Sequence, residues 1–382
     1  MSQSQTSADV LIIGGGIAGA SAAAELASTH RVIILERESV LGFHSTGRSA
    51  ALFSEIYGNA TVRALSRASR SFFFNPPPGF CEHPLVKPRG SLHVARLDQL
   101  AELRAFRMEL DPPDAVRPVD SLEAREICPI LRAEHAIEGL YEPDAADVDV
   151  HALHQGYLRL FRKSGGQIVT DAQVMSLERR HGLWHLHTRA GNFSAPIVVN
   201  AAGAWANEIG IKAGTESYDI EPRRRTALLV EVPDQPTLDR WPLTIDIAET
   251  VYFKPDAGLL LVSPADETPI QACDVQPEEM DIALAIDRIE QVTTIKVERI
   301  RRRWAGLRTF APDRSPIIGF DPDVPNFFWV AGQGGYGIQT APAAGKLAAA
   351  LLRQSAPPGE IDLAAVSPAR FHVSQRAASA GT

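Results

Sequence analysis

Val10 to Ile13 is an apolar run that ends in Gly14-x-Gly16-x-x-Gly19, followed by an alanine-rich stretch to about Ser28 and a second apolar run, Arg31 to Glu36. Strand, glycine turn, helix and strand in that order leave little choice of fold. Two parallel strands joined by a crossover helix open a doubly wound α/β sheet. Gly14 permits the tight turn, Gly16 lets backbone N–H groups approach a pyrophosphate, and Gly19 lets the helix pack close to the strand. Ala18 stands in the first helical turn, whose N-terminus turns the positive end of its dipole toward phosphate. Glu36, with Arg37 beside it, ends the second strand where a carboxylate can accept hydrogen bonds from a ribose diol. The complete unit points to a bound dinucleotide.

The chain has 382 residues, more than one hydrophobic core usually serves. Further along, helices are expected from about Thr61 to Phe74, Asp98 to Leu110, Ser121 to Ile127 and Val150 to Lys163. Strands are expected at Gly90 to Ala95, Gln167 to Thr170, Ile197 to Asn200, Arg225 to Val232, Val251 to Lys254, Leu259 to Val262 and Asn326 to Ala331. A helix from about Glu278 to Val292 and a last one near Thr340 to Leu352 complete the reading, with a polar tail from Val373. The predicted fold is α/β (α+β overall). A Rossmann-type domain from 1–85, 142–220 and 305–382 is interleaved with a substrate domain of antiparallel sheet and helices from 86–141 and 221–304.

A net charge of −8 argues against a nucleic-acid surface. Arg223-Arg224-Arg225 and Arg301-Arg302-Arg303 are short basic runs, and most of their members read as solvated strand residues. Cys81, Cys128 and Cys273 are scattered and suggest neither a disulfide framework nor zinc, which fits a reducing cytoplasm. His185-x-His187, near His181, lacks a third ligand at metal spacing. Met108, Met175 and Phe72-Phe73-Phe74 read as packing residues. The polar start, Met1 to Asp9, does not read as a signal peptide, and no apolar stretch reaches roughly 18 residues. A soluble cytoplasmic protein is expected.

A flavin, unlike a nicotinamide cofactor, must be held along its length by distant segments. Two qualify: His44-Ser45-Thr46-Gly47-Arg48-Ser49-Ala50-Ala51-Leu52, and Gly332 to Gly337 before the last helix. The second can aim backbone N–H groups and a helix N-terminus at the end of the flavin where negative charge develops. Beside the βαβ unit, these segments favour FAD.

On these residues the chain resembles the D-amino-acid oxidase-like family of FAD amine dehydrogenases and oxidases, within it most closely the D-arginine dehydrogenase branch. The likeness runs through the His44 to Ala51 segment, Asn75 to Pro84, Ala152 to Leu158, Val199 to Trp205, Tyr252 to Gly258, Trp304 to Arg308 and Gly334 to Thr340. It implies that Val174, Gly203, Gly334, Gly335, Tyr336, Gly337, Ile338 and Gln339 join the FAD site. It also implies that Arg225 and Arg308 hold a substrate carboxylate, with Tyr57 and Tyr252 lining the pocket and Gly335 near the amine. A planar guanidinium suits bidentate carboxylate recognition. Two positions depart from that branch: Ser91 stands where it carries a side-chain-reading glutamate, and Leu52 where it carries a histidine. Both favour neutral or apolar side chains over arginine. Gly306 stands where sarcosine oxidases carry a flavin-tethering cysteine, so the FAD is expected to be noncovalent.

The implied reaction is oxidative deamination of a D-amino acid or related small amine acid by hydride transfer from Cα to the flavin. The electron acceptor, whether quinone, dye or oxygen, is left open. A 2-hydroxy acid dehydrogenase is the alternative, for which His44 would be the base. A second alternative is a flavin-binding subunit without catalysis.

Overall fold

The computed structural model describes residues 6–232, 237–359 and 361–372, so the tail expected from Val373 lies outside the described residues. Val10–Ile13, the helix Ile17–Leu26 and Val32–Leu35 form the expected βαβ unit. They sit at the middle of a six-stranded sheet ordered Gln167–Val169, Val32–Leu35, Val10–Ile13, Ile197–Asn200, Phe327–Ala331 and Ile317–Phe320. The first five run parallel and the last antiparallel. The parallel strands are apolar on both faces because both are covered. Ile17–Leu26, Ala60–Phe74, Val150–Lys163 and Gly337–Leu352 share one buried cluster on the first face. A small four-stranded sheet of Thr6–Ser7, Gly191–Ala195, Leu183–Thr188 and Val174–Arg180 packs with the helix Ala206–Ala213 on the other.

The second large sheet is predominantly antiparallel and collects distant segments. Its order runs Gln333–Gly334, Ile300–Phe310, Glu221–Val230, Leu259–Ser263, Tyr252–Asp256, Leu243–Asp246, Ser91–Ala95, Glu138–Glu142 and Arg117–Asp120. Alternate residues point to opposite faces. Leu92, Val94, Leu228, Val230, Phe253, Leu260 and Val262 face the helix Glu279–Val292 and form a core with Ile282, Ala285, Ile289 and Val292. Of their neighbours in sequence, Ser91, His93, Ala227 and Tyr252 line a cavity on the other side.

Several expectations change. The last helix begins at Gly337 rather than near Thr340 and carries Pro342 inside it. Buried Ile338 and Gln339 hold the extra turn, and Gln339 Nε2 donates to Ser66 Oγ at 2.8 Å. The strand Ile300–Phe310 is far longer than its Trp304 to Arg308 motif. Its charged start pairs outward, Arg301 with Glu231 and Arg303 with Glu279. Arg224 is not solvated: it is buried in an ion cluster with Glu278 and Asp281. Met108 and Met175 are exposed rather than packed, and Phe74 is partly so. Met108 is the last residue of the helix Leu100–Met108, and Met175 stands on the solvent face of its strand.

Candidate functional site

Two cavities meet at the N-terminus of the first helix. The larger, about 210 Å³, lies between the glycine turn, the 45–52 segment, the last helix and the antiparallel sheet. The smaller, about 120 Å³, lies beyond the glycine turn between Glu36, the 42–46 loop, Ala172 to Val174 and Ala201 to Trp205. Gly16, Ser45, Thr46, Ala201 and Gly203 line both, so together they form one elongated trough.

The trough fits a dinucleotide. A Cβ on Gly14, where φ is +107°, would lie 2.4 Å from the Ala201 carbonyl oxygen, and one on Gly19 would lie 2.0 Å from that of Gly14. Gly16 caps the helix without a side chain, and the first turn holds no acid. Thr46 Oγ accepts from the Ile17 N–H at 3.0 Å and fixes the 45–52 segment against that turn. Ala18 lines the larger cavity. Glu36 is pre-set: Gly15 N–H donates to its Oε2 at 2.7 Å and Glu38 N–H to its Oε1 at 2.9 Å. Its carboxylate borders the smaller cavity and keeps lone pairs for a ribose. At the far end the uncapped N-terminus of Gly337–Leu352 opens on the larger cavity, where Gly334, Gly335, Gly337, Ile338 and Gln339 all line it.

The remaining predicted residues divide. Arg37, His44 and Val174 line the smaller cavity, while Arg48, Ser49, Ala50, Ala51 and Leu52 line the larger. His44 therefore stands outside the larger cavity, which holds Arg308. Its Nε2 lies 2.9 Å from Glu38 Oε1 and its ring packs against Trp205, over which Arg37 also sits. Gly19 and Gly47 line neither cavity: Gly19 is a packing contact, and Gly47 N–H closes a turn onto Gly42 O at 2.8 Å. Tyr336 turns its ring away, against Tyr57 with centroids 4.8 Å apart. Arg48 ties the loop to the second sheet through Ala305 O, and to the 270–278 segment through Val275 O and Asp274.

One face of the second sheet forms the floor of the larger cavity. Gly306 and Arg308, Arg225 and Ala227, Leu243 and Ile245, and Ser91 and His93 come in pairs two residues apart, joined by Tyr252. Arg308 Nη1 donates to Tyr57 Oη at 2.9 Å and lies directly under Gly335, where a Cβ would fall 2.7 Å from it. No carboxylate among the described residues pairs with it. Arg225 is 7% exposed and engaged: Nε donates to Asp266 O at 2.8 Å and Nη2 to Glu267 Oε1 at 2.9 Å. Glu267 also receives Arg314. Burial would raise the Tyr252 phenol, but nearby Arg308 and Arg225 bring it below the ordinary tyrosine value. The cavity is electropositive at this end.

Sequence reasoning missed other lining residues. His93 is neutral because burial lowers it to about 4. Ser54 lines the same cavity. His154 Nε2 contacts Gly15 O at 2.9 Å beneath the glycine turn; it lies inside the Ala152 to Leu158 motif, its one sequence signal. Glu55 faces Arg70, and neither it nor Glu249 lines a cavity. None of the three cysteines lines either cavity.

The family model described as FAD dependent oxidoreductase (DAO) matches residues 9–351. Glycine oxidase of Geobacillus kaustophilus (strain HTA426) is 27% identical over 370 residues, covering 91% of this chain and 93% of that protein. Mitochondrial dimethylglycine dehydrogenase of Mus musculus is 26% identical over 386 residues, covering 95% of this chain; the chain spans only 44% of that relative's length. Among solved structures, glycine oxidase from Geobacillus kaustophilus superposes with a TM-score of 0.83 at 23% identity, covering 95% of this chain and 98% of that one. L-proline dehydrogenase from P. horikoshii gives 0.81 at 22% identity, covering 97% and 99%. These two structures share the fold.

Proposed function

The chain belongs to the FAD dependent oxidoreductase (DAO) family and binds FAD, and from that premise we propose that it oxidatively deaminates a D-amino acid with a neutral side chain. The observation that carries this reading is Arg308, a cation in the cavity wall with no acid among the described residues to neutralise it. Enclosing an unpaired charge costs several kcal/mol, a cost an anionic ligand removes. Glycine oxidase and dimethylglycine dehydrogenase are named for small amino acids that bear such a carboxylate. The D configuration follows from the sequence resemblance, and the neutral side chain from Ser91 and Leu52 in the cavity wall.

Bound FAD supplies the acceptor for the hydride that leaves Cα. Arg308 holds one carboxylate oxygen, with Arg225 within reach of the other, and so fixes the orientation of Cα. Tyr57 orients Arg308, and Tyr252 closes the floor. Ala50, Leu52, Leu243 and Ile245 form an apolar wall that favours the neutral amine over the ammonium, leaving its lone pair to assist C–H cleavage. The imino acid product hydrolyses to a 2-oxo acid and ammonia.

Hydroxy-acid oxidation needs a stronger base than the cavity offers, since His44 lies at the other end of the trough and His93 is held near 4. Anaerobic bleaching of the flavin by a panel of D- and L-amino acids and 2-hydroxy acids tests the proposal. Bleaching by hydroxy acids alone, or by none of the panel, would refute it.

A further inference from the structure

The larger cavity carries polar groups that take no part in holding the carboxylate or in C–H cleavage. Ser54, Ser91 and His93 line it, and Glu142 lies behind them. Glu142 stands directly opposite Ser91 in antiparallel register, so both side chains rise from the same face of the sheet. Its strand is six places along the sheet from the strand that bears Arg308. Glu142 is 2% exposed and accepts two hydrogen bonds: Ser54 Oγ–H donates to its Oε2 at 2.7 Å, and Glu55 N–H to its Oε1 at 2.9 Å. No Lys, Arg or His among the described residues pairs with it. While Glu142 is ionised, the single Ser54 proton is committed to it. Ser54 Oγ then offers the cavity lone pairs only.

We infer that Ser54, aimed by Glu142, is a specificity-determining hydrogen-bond acceptor, and that the preferred substrate is an amino acid whose side chain ends in a neutral N–H donor, a carboxamide. This rests on the reading that Arg308 anchors the substrate carboxylate. A carboxamide matches the remaining groups too, because the Ser91 hydroxyl in the same wall can donate to its oxygen. A guanidinium fits less well, since the acid behind Ser54 is within reach only through a neutral hydroxyl.

Burial raises the Glu142 carboxyl to about 7; its two hydrogen bonds lower it, and Glu55 and Asp144 raise it further. Arg70 is spread between those two acids, and His93, on the adjacent strand opposite Leu140, is neutral. On taking up a proton Glu142 can donate to Ser54, whose own O–H then turns into the cavity. The preference for an N–H donor therefore fades as pH falls through about 7.

The test uses the FAD-loaded protein and inert acids. Succinamate and glutaramate are titrated beside their branched isosteres, 4-methylpentanoate and 5-methylhexanoate, and binding is read from the flavin absorbance. The ratio of isostere Kd to amide Kd should rise about fivefold between about pH 6 and about pH 8.5, the span of one ordinary hydrogen bond. Glu142→Gln, whose amide must donate to Ser54, should hold the ratio at its low-pH value, and Ser54→Ala should flatten it. A ratio that stays flat in the parent, or that moves equally in Ser54→Ala, overturns the inference and leaves the Arg308 anchor standing. Failure of all four acids to bind overturns the anchor and the inference with it.

Discussion

Arg308 donates to the hydroxyl of Tyr57 at 2.9 Å, so its closest partner is neutral and its charge is left uncancelled. Arg225, one strand away, already holds Glu267 at 2.9 Å. The two guanidinia are therefore unequal. Removing one partner of a buried charge pair costs about 2–5 kcal/mol, which is about 30-fold or more in kcat/KM. Arg308→Ala should lose that much with FAD still bound, and Arg225→Ala should lose less. Steady-state kinetics alongside flavin content checks this; a larger loss in Arg225→Ala would reverse the assignment.

Tyr57→Phe leaves one Arg308 N–H without its acceptor in an enclosed site. An unsatisfied buried donor costs about 1–3 kcal/mol. KM should rise several-fold to about a hundredfold, with little change in kcat if Tyr57 acts only by orienting Arg308. A fall in kcat at unchanged KM would give Tyr57 a role in the chemical step instead.

FAD should be released by acid precipitation and remain yellow in the supernatant, because Gly306 offers no thiol and no cysteine lines the trough. Colour retained in the pellet would contradict this. Glu36→Ala should weaken FAD retention while leaving the fold intact. Gly14→Ala should do worse, since its Cβ would meet the Ala201 carbonyl at 2.4 Å with φ at +107°. Equal FAD content in all three proteins, measured after desalting, would remove both residues from the site.

Glu142 gives a stability signature with a defined sign. Its folded-state value of about 7 lies above its ordinary 4.5, so the folded chain keeps a proton there that the unfolded chain has released. The stability it contributes is full below about 4.5 and is lost as pH rises through about 7. Glu142→Gln lacks that loss. Its Tm minus the parent's should climb across this window and level off above it, while the opposing effect of His93 cancels because both proteins contain it. A difference independent of pH would mean that Glu142 titrates normally.

Ser91→Glu should raise kcat/KM for D-arginine relative to D-leucine or D-phenylalanine. The new carboxylate would stand directly opposite Glu142, where like charges disfavour one another. The gain should therefore be larger in Ser91→Glu with Glu142→Gln than in the single variant. An unmodified enzyme that already prefers D-arginine, or an unmoved ratio in both variants, would place side-chain reading elsewhere.

The βαβ unit was legible almost residue by residue because its signals are local: apolar runs, glycines at fixed offsets and an acid at the second strand's end. Arg225, Arg308 and Tyr252 were named through resemblance, and alternation along their strands brings them into one floor. His44 lines the smaller cavity with its ring turned onto Glu38, while its neighbours in sequence, Ser45 and Thr46, reach the larger cavity as well. The Tyr336 ring is turned onto Tyr57, since a glycine loop can expose its backbone and bury its one ring elsewhere. Glu142 carried no signal at all, since an acid on a short strand looks solvated until Ser54 is folded over it. The Ile300–Phe310 strand was hidden by its arginines, whose partners are distant acids.

The two faces of the second sheet answer to different demands. Leu92, Val94, Leu228 and Phe253 are held in place by the helix Glu279–Val292, while Ser91, His93, Ala227 and Tyr252, each the immediate neighbour of one of them, are not. Changing the first set alters whether the protein holds together; changing the second alters what it accepts. A library confined to Ser91, His93, Ala227, Leu243 and Ile245 would thus sample new selectivities while leaving the core beneath that helix unchanged.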